Sequence, residues 1–100
     1  MTNEKLEQIY FKLCSDHLSI EAIPRTRTKV DFIRMRDHLP QEYEILMWTP
    51  HFAVLRTHGG VEITLRRDGR MIVRKSSSET VAQKVAVDLI RLIQKDYETL

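Results

Sequence analysis

The sequence lacks the residues from which covalent cross-links and thiolate metal sites are built. Cys14 is the single cysteine among the 100 residues. An intramolecular disulfide and a zinc site made of cysteines both need more than one thiol, so both are excluded. The histidines show none of the short spacings typical of metal ligands; they are His17, His38, His51 and His58. We therefore expect no metal and no cofactor.

Long apolar runs and catalytic motifs are missing as well. No apolar stretch approaches the roughly 20 residues of a membrane-spanning helix, and no secretory signal peptide is recognisable, so we expect a cytoplasmic protein without a membrane partner. Gly59-Gly60 lies outside any GxxxxGK or GxGxxG pattern, which leaves no small-molecule substrate in evidence. Cys14, beside Asp16 and His17, is more typical of a structural thiol than of a nucleophile with its base. The sequence predicts a protein that is not an enzyme.

Charge is present in both signs but is unevenly distributed. The net charge of the whole chain is +2. Residues 25–36 and residues 56–75 each carry a net +4, and the remainder carries a net −6. Such segregation favours either an anionic partner on the basic part of the surface or head-to-tail self-association.

Residues 61–74 predict a β-hairpin. Apolar and polar side chains alternate along its first strand, as expected where one face is buried. We favour a three-residue loop in which Gly69 is left-handed, because this loop pairs Leu65 with Met71 and keeps the apolar side chains on one face. A two-residue loop would instead turn Arg74 into the core.

The other elements follow from periodicity and from helix-breaking residues. A capping box at Ser76 and Glu79 predicts a C-terminal amphipathic helix, whose apolar stripe is Ala82, Val85, Ala86, Leu89 and Ile93. Thr28 is expected to cap a helix that ends before Pro40, and a strand over 30–36 is the alternative. A helix over 3–14 and strands over 19–23, 43–49 and 51–57 complete the prediction. The nearly continuous apolarity of 43–49 favours a strand that is covered on both faces or buried at an edge.

Together these elements predict a single α+β domain over residues 1–100. Their order is α-β-α-β-β-β-β-α, and successive strands joined by tight turns indicate an antiparallel sheet of four to five strands. With the helices on one face, the domain is a two-layer sandwich whose other sheet face is open.

Residues 69–95 resemble the closing strand and helix of one repeat of the TATA-box-binding protein. The matching features are Gly69-Arg70, Ser78-Glu79, Ala82, Ala86, Leu89 and Ile93. Further similarities lie near Leu39-Pro40, Tyr43, Pro50, Phe52, Val54 and Arg56. The resemblance implies a fold like that of this family over residues 19–100. Residues 1–18, which contain the predicted helix, are expected to form an N-terminal helical extension with no counterpart in the family. Small archaeal proteins also share this fold.

The chain departs from that family at several places. The family has two tandem repeats that form a saddle, whereas this chain has one, so a saddle would require a homodimer. Arg66 aligns with the phenylalanine that kinks DNA in the family, Lys75 aligns with a glycine, and Arg74 replaces a small residue. These departures argue against DNA kinking of the TATA type.

The open sheet face is the candidate binding surface. Its basic side chains could contact phosphates and an aromatic ring could stack on a base; the candidates are Phe52, Arg56, Thr64, Arg66, Arg70 and Arg74. Nucleic-acid binding through this face is one hypothesis. The alternative is a structural or protein-interaction module such as a homodimer, in which Phe52, Val54 and Ile72 form an exposed apolar stripe. Tyr43, Leu46 and Trp48 could extend that stripe, and the N-terminal helix could instead cover it.

Overall fold

A computed structural model describes residues 9–13, 19–25 and 29–98 of the chain. Its elements in chain order are β1 (Ile9–Leu13), β2 (Ser19–Pro24), α1 (Phe32–His38), β3 (Glu44–Trp48), β4 (Phe52–Arg56), β5 (Glu62–Arg66), β6 (Met71–Arg74) and α2 (Glu79–Glu98). In these residues there is no helix with the length and apolarity that crossing a membrane requires.

The strands form one antiparallel sheet of six strands in the order β1-β2-β6-β5-β4-β3. An α+β architecture is therefore confirmed, but four to five strands was too few. Side chains of α1 and α2 share one hydrophobic core with one face of the sheet. We call this the covered face, and the opposite side of the sheet the open face.

The covered face is built by strict alternation along the three central strands. The fully buried side chains of β4, β5 and β6 are Ala53, Leu55, Ile63, Leu65, Met71 and Val73, and Ala22 of β2 is fully buried beside Met71. The helix α2 adds Ala82, Ala86, Leu89 and Ile93 to the same core, as its predicted stripe required, while Val85 is half-buried. Phe32 and Met35 add the buried side of α1. Burial of this apolar surface contributes on the order of 25 cal/mol per Å² to stability.

The β5–β6 hairpin has the predicted three-residue loop. Leu65 pairs with Met71 across the two strands, and Gly69 is left-handed with φ of 87°. The Arg66 amide donates to the carbonyl oxygen of Arg70 at 2.8 Å, which closes the loop. Glycine reaches this backbone conformation without a steric penalty, so the loop and the apolar alternation support the same register.

The predicted helix over 3–14 is wrong where the structure describes it. Residues 9–13 are the edge strand β1, which pairs with β2 from Ile9–Pro24 to Leu13–Ile20; the rest of the predicted helix lies outside the described residues. The helical spacing was that of Leu6, Ile9, Tyr10 and Leu13, but Ile9 and Leu13 also fit a period of two. Pairing with β2 satisfies the backbone of β1 and buries Ile9, and this tertiary gain outweighs local helical spacing.

Both helix starts differ from the predicted caps. Asp31 caps α1, because its Oδ1 accepts from the backbone amides of Ile33 and Arg34 at 3.1 and 3.2 Å; Thr28 lies outside the described residues. Ser78 caps α2, since its Oγ accepts from the Val81 amide at 3.2 Å. Neighbouring serines are chemically equivalent as caps, so the capping position is decided by where the helix meets the core.

The strand β3 is neither covered on both faces nor buried, contrary to the prediction. Among the described strands it forms an outer edge of the sheet and pairs only with β4. The side chains of Ile45, Leu46 and Met47 are 38%, 39% and 51% exposed. A bulge between Ile45 and Met47 leaves Leu46 without a register partner on β4. The apolarity of this segment therefore reflects an exposed edge.

Candidate nucleic-acid interface

The candidate residues predicted for the open face lie in three cross-strand groups. One group is a row of alternating charge that runs Arg74, Glu62, Arg56, Glu44 across four strands. The next row is largely apolar and consists of Ile72, Thr64, Val54 and Met47. In the third group, Arg66 is opposite Phe52, and Arg70 follows the hairpin loop. The register thus places all six predicted residues on or next to the open face.

Carboxylates already pair with most of the arginines of this face. Arg56 binds Glu44 through its Nη2 atom at 3.0 and 3.1 Å and through Nε at 3.3 Å. Arg66 lies 3.1 Å from Asp68. Arg70 approaches Glu21 at 3.9 Å and Asp68 at 3.8 Å. Because each pair offsets part of the positive charge, the open face attracts phosphates less strongly than the sequence alone suggests.

Arg74 is the exception among the predicted arginines. It is exposed and forms no ion pair with any residue that the structure describes. Its cross-strand neighbour Glu62 accepts instead from the Lys75 Nζ at 2.6 Å. That hydrogen bond, with the charges of Lys75, Arg56 and Arg74 around it, lowers the pKa of the Glu62 carboxyl. This carboxylate is therefore held in its charged form among the cations.

The apolar part of the open face is smaller than the predicted stripe. Phe52, Val54 and Ile72 are half-buried on this face, and none of the described elements packs over them. Trp48 does not extend the stripe, because its ring packs edge-on against Phe32 of α1 with centroids 5.5 Å apart. Tyr43 also packs against the helix-side core.

The two basic segments of the sequence meet at one end of the sheet. The Val30 amide donates to the Arg67 carbonyl oxygen at 2.8 Å, and the Arg67 amide donates to the His51 carbonyl oxygen at 3.1 Å. β2 ends and β6 begins at this same end, which adds Arg25 and Arg70. We call this region the basic end; its charged side chains are Arg25, Lys29, Asp31, Arg66, Arg67, Asp68 and Arg70.

A cleft of about 450 Å³ opens at the basic end. Lys29 and Arg67 line it together with Asp31 and the apolar side chains of Val30, Phe32, Ile33 and Pro50. Lys29 and Arg67 are exposed and form no ion pair within the part of the chain that the structure describes. Ile33 is 83% exposed at its rim. Free cations thus lie beside exposed apolar surface.

The sequence patterns did not identify the residues of this cleft as a site. The charge count did identify the two segments to which Lys29 and Arg67 belong. What the sequence could not show is that a loop before α1 lies against the β5–β6 loop, because this contact joins residues far apart in the chain.

A second cleft, of about 420 Å³, lies at the opposite end of the sheet. Its lining has mixed polarity and charge and consists of Glu42, Tyr43, Thr57, Gly59, Val61, Lys75, Ser76, Ser77, Val81, Lys84, Val85 and Asp88. Burial, reinforced by the charges of Glu42 and Asp88, raises the pKa of Tyr43 to about 12. The lysines of this cleft are paired: Lys84 lies 3.0 Å from Asp88, and Lys75 binds Glu62. In this respect they differ from Lys29 and Arg67 at the basic end.

The candidate chemical groups considered from the sequence are dispersed. His38, His51 and His58 are exposed on separate parts of the fold, whereas Cys14, Asp16 and His17 lie outside the described residues. Within the described ranges, no three or more histidine, cysteine, aspartate or glutamate side chains are grouped so that they could hold a metal ion. The comparisons with known proteins identify no relative: no protein-family model, curated protein or solved structure matches the chain.

Proposed function

We propose that the protein is a non-enzymatic, cytoplasmic nucleic-acid-binding module that contacts phosphates at the basic end. One observation carries the proposal: the hydrogen bond from Val30 to Arg67 brings two segments of net positive charge together. There, Lys29 and Arg67 have no carboxylate partner within the described residues. Cations that need not break an ion pair contact phosphates at the lowest cost, and release of phosphate counterions then drives binding.

Neighbouring side chains suit the rest of a nucleotide. Phe52 lies opposite Arg66 at the side of the open face that adjoins the basic end. An aromatic ring next to a line of cations is the arrangement by which single strands are held without sequence preference, since every base can stack. Arg66 is the register partner of Phe52, and Arg70 follows the same hairpin loop; both arginines are paired with Asp68.

We also propose that residues 19–98 adopt a fold like one repeat of the TATA-box-binding protein. Two observations support it. The described elements from β2 onward run β-α-β-β-β-β-α, in the order that the resemblance implied. Lys75, which stands where the family has glycine, has a positive φ of 60°, and glycine is the residue best suited to that conformation.

The test is a binding experiment with labelled single-stranded DNA, single-stranded RNA and duplex DNA over a salt series. Wild type is compared with Lys29→Gln/Arg67→Gln and with the control Lys75→Gln/Lys84→Gln, whose lysines are paired with Glu62 and Asp88. Both variants lose the same charge, but the control removes cations that are paired with carboxylates away from the basic end. We expect the first variant to bind more weakly at low salt and to lose about two from the slope of log K against log salt. The control should stay close to wild type.

Two results would overturn the proposal. If wild type binds none of the three probes at low salt, the protein is not a nucleic-acid-binding module. If both double variants lose affinity equally, the interaction depends on net charge and has no site at the basic end. A Phe52→Ala variant separates stacking from charge, because it should weaken binding to single strands without changing the salt slope.

A further inference from the structure

The strand β3 has one edge that pairs with no other strand among the residues that the structure describes. Edge strands in soluble proteins are commonly guarded by a lysine, a proline or an inward-pointing charge. Between its first residue Glu44 and its last residue Trp48, β3 consists of Ile45, Leu46 and Met47. All three side chains are more than a third exposed. The edge therefore combines apolar surface with backbone groups that no described strand pairs.

The exposed apolar surface extends around the edge from one face of the sheet to the other. Met47 is opposite Val54 and belongs to the open face, whereas Ile45 is opposite Leu55 on the covered face. Leu46 lies in the bulge between them without a partner on β4. Bulges often disrupt pairing at an edge, but this bulge adds a further apolar side chain there and no charge. A strand laid along β3 would cover side chains on both faces.

The charges at the two ends of β3 indicate which strand pairs with this edge. Glu42 lies at the N-terminal end of β3 beside Glu44, which is paired with Arg56. The C-terminal end of β3 leads to His51, whose carbonyl oxygen accepts from the Arg67 amide of the basic end. When two copies of β3 pair antiparallel, the acidic end of each strand lies beside the basic end of the other. A parallel pair would bring like charges together, which is unfavourable. The edge is thus complementary to itself under a twofold rotation.

We propose that the protein forms a homodimer in which β3 pairs antiparallel with β3 of a second copy, so that the sheet continues through both subunits. Backbone hydrogen bonds and the cover of Ile45, Leu46 and Met47 stabilise the contact, and the opposite charges set its direction. The backbone hydrogen bonds and the three apolar side chains of this contact involve neither Lys29 nor Arg67, so the inference does not depend on nucleic-acid binding.

The test is sedimentation velocity over a protein concentration series for wild type and three variants. Met47→Lys and Leu46→Lys each place a charge on the edge, and Ile33→Lys is the matched control because Ile33 is an equally apolar but even more exposed side chain on α1. We expect a dimer for wild type and for Ile33→Lys. Both edge variants should raise the dimer dissociation constant by about tenfold or more, since a charge at the contact has no partner.

Several outcomes would overturn the dimer. A wild type that remains monomeric at every concentration rejects it, and so does an edge variant that retains wild-type dimerisation while its circular dichroism spectrum is native. If Ile33→Lys alone dissociates the protein, copies associate through another surface. Finally, Lys29→Gln/Arg67→Gln should still dimerise, so that loss of nucleic-acid binding and loss of dimerisation are seen separately.

Discussion

The covered and open faces of the central strands are made by alternate residues of the same segments, yet they are stabilised differently. Ile63 and Leu65 have no exposed surface, while Glu62 and Thr64 between them remain partly exposed. On the covered face the side chains of β4, β5 and β6 are buried among apolar neighbours. On the open face, one row of charged side chains and one largely apolar row are partly exposed to water. Stability therefore depends mainly on one face, which leaves the other free to bind.

The largest expected effect comes from removing a large side chain on the covered face. Leu65→Ala should lower the free energy of unfolding by about 2–5 kcal/mol, because a buried cavity replaces lost apolar contacts. Thr64→Ala, one residue away on the open face, should change it by less than about 1 kcal/mol. Urea unfolding followed by circular dichroism measures both values. Equal losses for the two variants would contradict the contrast between the faces.

A second test concerns the backbone at the end of β6. Lys75 has a positive φ of 60°, which strains any residue except glycine, and its Nζ binds Glu62. Lys75→Gly and Lys75→Ala both remove that ion pair, but only glycine relieves the strain. We expect the glycine variant to be more stable than the alanine variant by about 1 kcal/mol in urea unfolding. An alanine variant of equal or greater stability would argue against strain at this position.

The third test uses pH at the second cleft. The pKa of Tyr43 is raised from 10.0 to about 12 in the folded protein, so the folded state retains the phenolic proton after the unfolded state has lost it. Stability must then fall as pH rises from about 10 towards about 12. Tyr43→Phe removes this contribution and should flatten the decline in melting temperature over that range. An unchanged decline would mean that other groups account for it.

The smallest expected effect is on the ion pairs of the open face. Arg56→Gln breaks the paired contact with Glu44, and both side chains are largely exposed. Exposed pairs of this kind contribute about 0–1 kcal/mol, and salt screens them. A double-mutant cycle with Glu44→Gln isolates the coupling, which should decrease as salt is added. A large coupling that is insensitive to salt would show that this row stabilises the fold as the core does.

The hairpins were predictable because local chemistry and tertiary packing support the same answer. Gly69 permits the left-handed position in the β5–β6 loop, and the alternation of apolar residues admits only one register that buries them. The turn at residues 58–60 likewise pairs Leu55 with Ile63 and Arg56 with Glu62, so that the apolar side chains of β4 and β5 share one face. Where two independent constraints agree, the sequence suffices.

The errors lie where local patterns were ambiguous. Ile9 and Leu13 fit both a helix and a strand, and pairing with β2 decided between them. The apolarity of β3 was interpreted as burial because most apolar strands are covered, whereas this strand is an edge. The candidate site was predicted only in part: the arginines of the open face were placed correctly, but the partners that offset their charge lie on other strands or in the hairpin loop.

Alone, the amino-acid sequence determined the α+β class, the alternation of the central strands, the loop at Gly69 and the two basic segments, since each depends on neighbours along the chain. Only the tertiary structure decided which strand forms the exposed edge, which cations have carboxylate partners, and that Lys29 and Arg67 share a cleft. These properties depend on contacts between residues distant in sequence. Such contacts form through packing of the whole chain, so no local pattern encodes them.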